Sequence, residues 1–191
     1  MRKLKLQVQM SVDGFVAGPN GELDWMVFDW VDELKNYVTE VTEPVDTILL
    51  GRKMAGGFIS HWASVAADPE DPEVWAGKKF TDTPKVVFSK TLERSEWPNT
   101  EIANGELVDE VNQLKNSEGK DIIVSGGGGF NTSLIKAGLI DEYHLFTNPV
   151  ALGHGMTIFG GVEPRQDLVL MNSKQFACGI VVNRYDLKKA E

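Results

Sequence analysis

Alternating and continuous apolar segments predict most of the strands. Residues 3–11 place Leu4, Leu6, Val8 and Met10 at every second position, which predicts a strand with one face in a core. Short apolar runs predict further strands over 46–50, 85–89, 100–103, 121–125 and 140–147. The last two strands, over 166–176 and 179–187, follow a glycine-rich connection and should form an antiparallel hairpin.

Helical spacing of apolar residues separates these strands. One helix is predicted to begin with Asp29 as its N-cap, and a second follows Gly51. Two more are predicted over 105–116 and 130–137, the latter closed by Gly138. A polar stretch with three prolines, Pro69, Pro72 and Pro84, is assigned no helix or strand. Strands that alternate with helices and end in a hairpin predict one α/β domain over residues 1–191, with a mostly parallel sheet and an antiparallel edge.

Composition narrows the class of protein and of partner. The chain has 191 residues, 42% hydrophobic and 25% charged, which is typical of a globular domain with its own core. A formal net charge of −9 argues against nucleic acid and anionic membranes as partners. Cys178 is the single cysteine, and the N-terminal residues lack the apolar core of a signal peptide, so we expect a cytoplasmic protein.

Three turns between a strand and the segment that follows it carry anion-binding chemistry. The sharpest is Ser125 with four glycines, Gly126, Gly127, Gly128 and Gly129, and then Phe130. Such a turn lets a backbone approach a pyrophosphate closely, although a tight turn that binds nothing is the simpler alternative. The spacing matches neither a Rossmann fingerprint nor a P-loop.

The other two turns add basic and hydroxyl side chains. Gly51, Arg52 and Lys53 begin a helix, and Ser89, Lys90 and Thr91 follow the next strand. Each turn alone is typical of a solvated surface. Together, at the same end of parallel strands, the three predict a dinucleotide lying across the sheet edge.

Two carboxylates in the loop after the first strand are candidate catalytic residues. Asp24 stands beside Trp25, and a carboxyl group held against that ring could orient or protonate a nitrogenous substrate. Simple solvent exposure is the alternative for Asp24. Asp13 precedes Gly14, a pairing that favours a structural turn over catalysis. His61, His144 and His154 have no metal-ligand spacing, so no metal site is predicted.

Several of these segments together resemble a known family. QMSVDGFVAG, DTILLGRKM, TPKVVFSKTL and IIVSGGGGFNTSLIKAGLIDEYHLFTNPVALGHG, in this order, are similar to the dihydrofolate-reductase-like family. The chain is most similar to the branch that contains the C-terminal reductase domain of the bifunctional riboflavin-biosynthesis deaminase-reductase. The resemblance extends over about residues 3–187.

The resemblance implies a three-layer αβα domain with a mixed sheet that binds NADPH and transfers hydride to a small heterocycle or carbonyl compound. It places the pyrophosphate at the turns that begin at Gly51 and Gly126. It also places the adenosine ribose and its 2′-phosphate at Ser89, Lys90 and Thr91, and the nicotinamide near Val16 and Ala17. Asp24 and Trp25 would border the substrate. Relatives of this kind commonly pair through sheet edges, so a homodimer is expected.

The chain departs from the riboflavin reductases at two positions that are signatures of substrate binding in those enzymes. Gln7 stands where those enzymes carry Lys, and Ser125 stands where they carry Glu. Met54 also replaces a threonine that is usual after the Gly-Arg pair. Two functions therefore remain open, namely an NADPH-dependent reductase with a different substrate and a nucleotide-binding module without catalysis.

Overall fold

The computed structural model describes residues 1–188, and it contains one mixed sheet of eight strands flanked by five helices within those residues. The elements, in chain order, are β1 (Leu4–Met10), α1 (Asp32–Thr42), β2 (Val45–Gly51), α2 (Arg52–Ala67), α3 (Val74–Asp82), β3 (Lys85–Phe88), β4 (Thr100–Ala103), α4 (Leu107–Asn116), β5 (Asp121–Val124), α5 (Gly128–Lys136), β6 (Glu142–Thr147), β7 (Leu168–Gln175) and β8 (Val181–Leu187).

The strand order across the sheet is β4-β3-β2-β5-β1-β6-β8-β7. The first six strands in this order are parallel to one another, whereas β8 runs antiparallel to both β6 and β7. This arrangement confirms the predicted mostly parallel sheet with a C-terminal antiparallel hairpin. Because parallel strands end at the same edge, the segments that follow β1 to β6 all meet at the carboxyl edge of the sheet.

The helices cover both faces of the sheet. Helix α1 contributes Val41 and helix α2 contributes Ala55 to a buried cluster on one face, where Phe80 of α3 also packs. On the other face, Val111 of α4 and Leu134 of α5 pack on Leu6 of β1. The alternating apolar residues of β1 face this core as predicted, but Lys5 on the opposite face is buried as well, so both faces of this central strand are covered. The layers are α, β and α. No helix among residues 1–188 combines the length and apolar character needed to cross a bilayer.

The start of α1 differs from the prediction. The helix begins at Asp32 with Val31 in extended conformation as its N-cap, and Asp29 lies in the preceding loop. Trp30 explains the delay, because its ring stacks on Phe146 at 6.0 Å and its indole N–H donates to the carbonyl of Val27. The side chain of Trp30 is thus fixed by the loop and the sheet before helical geometry starts.

Helix α3 was not predicted from the sequence. Its flanking prolines, Pro72 before it and Pro84 after it, mark its limits and do not interrupt it. The helix packs on α2 through Gly77, where a Cβ would come within 2.5 Å of the backbone nitrogen of Ala66. Tertiary packing against α2 therefore stabilises a segment whose polar composition gave little helical signal.

Candidate functional site

The candidate site lies at the carboxyl edge of the sheet, between two neighbouring strands after which the chain continues in opposite directions along the sheet. Strand β2 leads through α2 to β3 on one side, whereas β5 leads through α5 to β6 on the other. Ligands of open α/β sheets bind at such switch points. Strand β3, which precedes Ser89, lies next to β2, so the three turns singled out in the sequence follow adjacent strands.

Phe130 brings the starts of α2 and α5 together. A Cβ at Gly51 would lie 2.9 Å from the Cβ of Phe130, and one at Gly126 would lie 2.5 Å from its Cδ1. The ring also packs against Phe88 at 5.1 Å between centroids. Gly51 and Gly126 are therefore required by internal packing, and the partly buried side chain of Phe130 packs against the core.

The remaining glycines of the turn have different neighbours. A Cβ at Gly127 would lie 3.1 Å from Cγ of Met54, and one at Gly128 would make ordinary contact with Val16 at 3.7 Å. A Cβ at Gly129 would meet no atom within 4 Å, although this residue lies in the first turn of α5. The surface above Gly129 is therefore open to a ligand.

The N-termini of α2 and α5 both lack the groups that usually satisfy or neutralise a helix start. Neither N-cap residue, Gly51 or Gly127, offers a side-chain hydrogen bond, and neither first turn contains an acidic residue. The first N–H groups of a helix have no partner within the helix, and they carry partial positive charge. Arg52 and Lys53 are exposed and form no ion pair within residues 1–188. The arrangement can hold an anion between two helices from opposite faces of the sheet.

The turn after β3 is more strongly tied to the protein itself. The buried hydroxyl of Ser89 accepts hydrogen bonds from the N–H groups of Thr91 at 3.1 Å and Leu92 at 3.0 Å. Lys90 Nζ donates to the carbonyl of Gly105 at 2.8 Å and pairs with Glu106 at 2.9 Å on the surface. A ligand at this turn would have to recruit Lys90 from these contacts.

The loop after β1 is joined to the segment after β6. Val16 N–H donates to the carbonyl of Met156 at 2.8 Å, and Met156 N–H donates to that of Ala17 at 2.9 Å. Val16 and Ala17 are buried, and Val16 adjoins Gly128. A Cβ at Gly155 would collide with the carbonyl oxygen of Ala17. The loop therefore lies beside the start of α5.

Asp13 has a structural position in this loop. Its carboxylate accepts hydrogen bonds from the hydroxyl of Ser11 at 2.6 Å and from the N–H groups of Gly153 at 2.6 Å and Leu152 at 3.1 Å. The Ser11 hydroxyl and the Gly153 N–H lower the pKa of Asp13 to about 2. The group is thus an ionised acceptor that fastens two loops, which favours the structural interpretation made from the sequence.

Asp24 and Trp25 are not arranged as the hypothesis about Asp24 required. Asp24 is exposed, whereas Trp25 is half-buried and its indole N–H donates to the carbonyl of Glu22 at 3.0 Å. In the structure the Asp24 side chain is exposed to solvent, which is the alternative that the sequence left open for it. The indole ring of Trp25 therefore does not bury the Asp24 carboxyl.

One residue that fastens this region was not identified from the sequence. Asn148 is fully buried directly after β6, where its Oδ1 accepts from the N–H of Val27 at 2.8 Å and its Nδ2 donates to Oε1 of Gln9 at 3.1 Å. In the sequence, Asn148 is marked only by its position between a predicted strand and Pro149. That position does not reveal its contacts with Val27 and Gln9, which precede it by 121 and 139 positions in the chain.

A line of polar groups lies between the sheet and α1. Tyr37 OH lies 2.7 Å from Nδ1 of His144, whose Nε2 lies 2.7 Å from Oε1 of Glu142. Burial raises the pKa of Tyr37 to about 12. Burial opposes ionisation of Glu142, but its hydrogen bond with His144 and the charges of His144, Arg184 and Lys5 outweigh it and lower its pKa to about 2. Within residues 1–188, no three His, Cys, Asp or Glu side chains cluster as metal ligands would.

The family model that describes the RibD C-terminal domain matches residues 2–182. The chain is also 36% identical over 185 residues to the uncharacterized protein YyaP of Bacillus subtilis (strain 168), covering 94% of this chain and 92% of that protein. Both matches extend over nearly the whole chain.

Solved structures agree on the fold. A protein from Shewanella sp. PV-4 has a TM-score of 0.75 and 23% identity, covering 98% of this chain and 99% of that one. The diaminohydroxyphosphoribosylaminopyrimidine deaminase/5-amino-6-(5-phosphoribosylamino)uracil reductase from Thermotoga maritima has a TM-score of 0.65 and 18% identity, covering 98% of this chain and 57% of that one.

A dihydrofolate reductase from Enterococcus faecalis, complexed with NADP(H), has a TM-score of 0.61 and 13% identity, covering 98% of this chain and 97% of that one. The resemblance found in the sequence motifs is confirmed, and the sheet with its two helical layers is that of the dihydrofolate-reductase-like fold.

Proposed function

Because the chain belongs to the RibD C-terminal domain family, we propose that it is an NADPH-dependent reductase of a small heterocyclic or carbonyl compound. The observation that carries the proposal is the pair of helix N-termini at the β2–β5 switch point, both uncapped and free of acidic residues. A pyrophosphate is the ligand that this pair fits best, since each helix start can receive one phosphate.

The residues present fit a dinucleotide. The N–H groups of Gly128 and Gly129 and the side chains of Arg52 and Lys53 would hold the pyrophosphate, with open space above Gly129. Ser89, Lys90 and Thr91, one strand beyond β2, would meet the adenosine ribose and its 2′-phosphate, which favours NADPH over NADH. Val16 and Ala17, on the other side of α5, would adjoin the nicotinamide. The solved fold relative complexed with NADP(H) supports this choice of cofactor.

NADPH bound in this way would supply the hydride. For the proton, Asp24 and a solvent water are the available donors, because Asp13 is ionised and bonded to three protein groups. The exposure of Asp24 requires a bound substrate to shield it, with Trp25 as the adjacent ring. Pterin-like and aminopyrimidine-like rings are the substrates suggested by the named relatives.

A nucleotide-binding module without catalysis is the second candidate. The observation in its favour is that neither candidate carboxylate offers a shielded acid, since Asp13 is an ionised acceptor of three hydrogen bonds and Asp24 is exposed. This candidate predicts NADPH binding without oxidation by any heterocycle, carbonyl compound or quinone.

We also propose a cytoplasmic homodimer. Strand β7 ends the sheet, and its Val169, Leu170 and Met171 are 45%, 55% and 52% exposed. A long apolar edge strand favours pairing with another strand, and a second copy of β7 would satisfy it. Light scattering should give the mass of a dimer for the wild type and that of a monomer for Leu170→Glu. A wild-type monomer would contradict the dimer.

The test of the cofactor is a titration with NADPH and NADH, followed by fluorescence of the five tryptophans and by thermal unfolding. NADPH at 100 times its dissociation constant should add about 2.7 kcal/mol of stability, or a rise in Tm of roughly 5–10 °C. Gly127→Val, whose side chain would displace Met54, should lose this rise, whereas the exposed Gln113→Ala on α4 should keep it. No response to either nucleotide would contradict both candidates, and binding without turnover would favour the second.

A further inference from the structure

The two sides of the carboxyl edge differ in charge. We call the turns after β2, β3 and β5 the cofactor side, and residues 11–34 and 148–164, which follow β1 and β6, the substrate side. The cofactor side carries Arg52, Lys53 and Lys90 as exposed cations. Neither substrate-side segment contains a lysine or arginine, and Lys35 and Arg165 are the residues that directly follow the two segments.

Carboxylates are the charged groups of the substrate side. They are Asp13, Glu22, Asp24, Asp29, Asp32, Glu33 and Glu163. Six of these seven lie in residues 11–34, within one stretch of loop and helix start. Any anion bound there would meet these carboxylates with no lysine or arginine from the same segments to offset them.

The N-termini of the helices show the same difference in charge between the two sides. The first turn of α1 contains Asp32 and Glu33, whereas the first turns of α2 and α5 contain no acidic residue. Carboxylates in the first turn compensate the positive end of the helix, so α1 offers little to an anionic ligand. Two helix starts are therefore available to phosphate on the cofactor side, and the one on the substrate side is already neutralised.

Four cations from neighbouring positions adjoin the substrate side. Lys174 of β7 pairs with Glu33 at 2.9 Å, and Arg165 pairs with Asp167 at 3.3 Å. Lys35, one turn into α1, is half-buried, and Lys136 Nζ would lie 3.1 Å from a Cβ at Gly161. Lys35 and Lys136 are thus the basic groups whose contributions need a direct test.

Large apolar side chains are exposed in the same segments. Val12 is 65% exposed, Leu23 46%, Phe28 66% and Met156 45%. Their loops are held together by main-chain hydrogen bonds, such as Val12 N–H to the carbonyl of Val150 at 2.8 Å. Exposed apolar groups among carboxylates favour a ring system that is apolar and uncharged, or cationic.

From this division of charge we infer that the substrate is a planar, uncharged or cationic ring compound without a phosphate. The inference rests on the proposed function and narrows it, since it excludes phosphoribosyl compounds from the substrate side. In the reaction, NADPH and one proton reduce a C=N or C=O bond, forming one C–H bond and one N–H or O–H bond and leaving NADP⁺.

The test uses matched ligand pairs that differ by one phosphate, namely riboflavin and FMN, a ribitylaminopyrimidine and its 5′-phosphate, and a neutral pterin and its phosphate ester. Turnover with NADPH and competitive inhibition are measured for each compound on the wild-type protein. At least one unphosphorylated member should react or inhibit below 1 mM, and it should be favoured at least tenfold in kcat/KM or Ki over its partner.

Three results would overturn the inference: equal or better use of a phosphorylated member, activity confined to phosphorylated members, or no interaction with any uncharged member. A preference for phosphate that Lys35→Gln or Lys136→Gln removes would identify that lysine as the missed cation. Failure of NADPH itself to bind would instead contradict the proposed function, and the two failures are therefore distinguishable.

A gain of charge provides the complementary test. Asp29→Lys should lower the preference for the unphosphorylated member, measured as the ratio of the two kcat/KM or Ki values, at least fivefold, because it places a cation on the substrate side. Glu118→Lys, an exposed change of the same type in the turn before β5 at the opposite edge, should leave the ratio unchanged. Equal ratios in both variants would also count against the inference.

Discussion

The cations at the amino edge of the sheet and those at the start of α2 differ in whether they have acidic partners. At the amino edge, cations are paired inside the protein, as in Lys5 with Asp121 at 3.0 Å and Lys115 with Asp141 at 2.6 Å. Lys5 and Lys115 are both buried. At the carboxyl edge, Arg52 and Lys53 stand beside a helix start that is itself positive, and they have no acidic partner within residues 1–188. The buried cations of the amino edge thus have partners within the fold, whereas Arg52 and Lys53 remain available to a ligand.

The difference predicts that variants of the amino edge change stability and that variants of the carboxyl edge change nucleotide affinity. The largest effect should come from Glu142→Gln. Glu142 bonds His144 at 2.7 Å and pairs with Arg184 at 2.9 Å, so its loss should cost about 3 kcal/mol of unfolding free energy. Denaturant unfolding measures the loss, and the Kd for NADPH should stay within twofold.

Lowering the pH should reduce the unfolding free energy of the wild type in the same way. The folded-state pKa of Glu142 is about 2 against an ordinary 4.5, so its contribution to stability is complete above pH 4.5 and is lost as the pH falls toward 2. Glu142→Gln should flatten this part of the stability profile. Asp186→Asn, which removes a more exposed partner of Arg184, is the control and should cost under about 1 kcal/mol. An equal loss of unfolding free energy in both variants would contradict the larger contribution assigned to Glu142.

Gly129→Asp should separate stability from affinity at the carboxyl edge. A carboxylate in the first turn of α5 should raise stability by about 0.5–1 kcal/mol, because it complements the helix start and removes a glycine. The same charge should weaken NADPH binding on the order of 100-fold by repelling the pyrophosphate. Gly129→Ala should give a similar gain in Tm without the loss of affinity. If both variants bound NADPH as the wild type does, the anion site would not be at α5.

Arg52→Gln and Lys53→Gln should have intermediate effects. Each should weaken NADPH binding about fivefold, since both side chains are exposed, and each should make the affinity less dependent on salt. Unfolding free energy should stay constant or rise slightly, because a cation is removed from a positive helix start. A marked loss of stability would contradict the division between the edges.

The smallest effect is expected from Lys90→Gln. Lys90 is held by Gly105 and Glu106, so reaching a 2′-phosphate would break existing bonds. We expect the preference for NADPH over NADH to fall only about threefold, measured as the ratio of the two Kd values. A tenfold or greater fall would show that Lys90 leaves Glu106 when the cofactor binds.

The sequence predicted those features that depend on local spacing. Strand β1 was found because its apolar residues alternate, and the hairpin because no helical period follows the glycine-rich connection. The turns after β2 and β5 were found because glycine and basic residues cluster there. Helix α3 was missed because its stability comes from packing on α2 and its borders are prolines.

In the site, contacts between distant segments leave no pattern in the sequence. The positions of Asp13 and Asn148 depend on hydrogen bonds to partners more than 100 residues away, which no local pattern records. The packing of Phe130 was not predicted for the same reason, since this residue follows the glycine turn in the chain but fills the space between two glycines in the fold.

Phe130 also has a consequence for how this site can diverge. The Cβ and ring of Phe130 occupy volume that a side chain at either Gly51 or Gly126 would need, so these three positions form one steric unit drawn from two separate motifs. Among related sequences, a side chain at position 51 is expected to appear only together with glycine at position 130, and one at position 126 only together with changes at both 130 and 131. Covariation of this triplet would record the convergence of the two helices even in relatives whose substrates have changed.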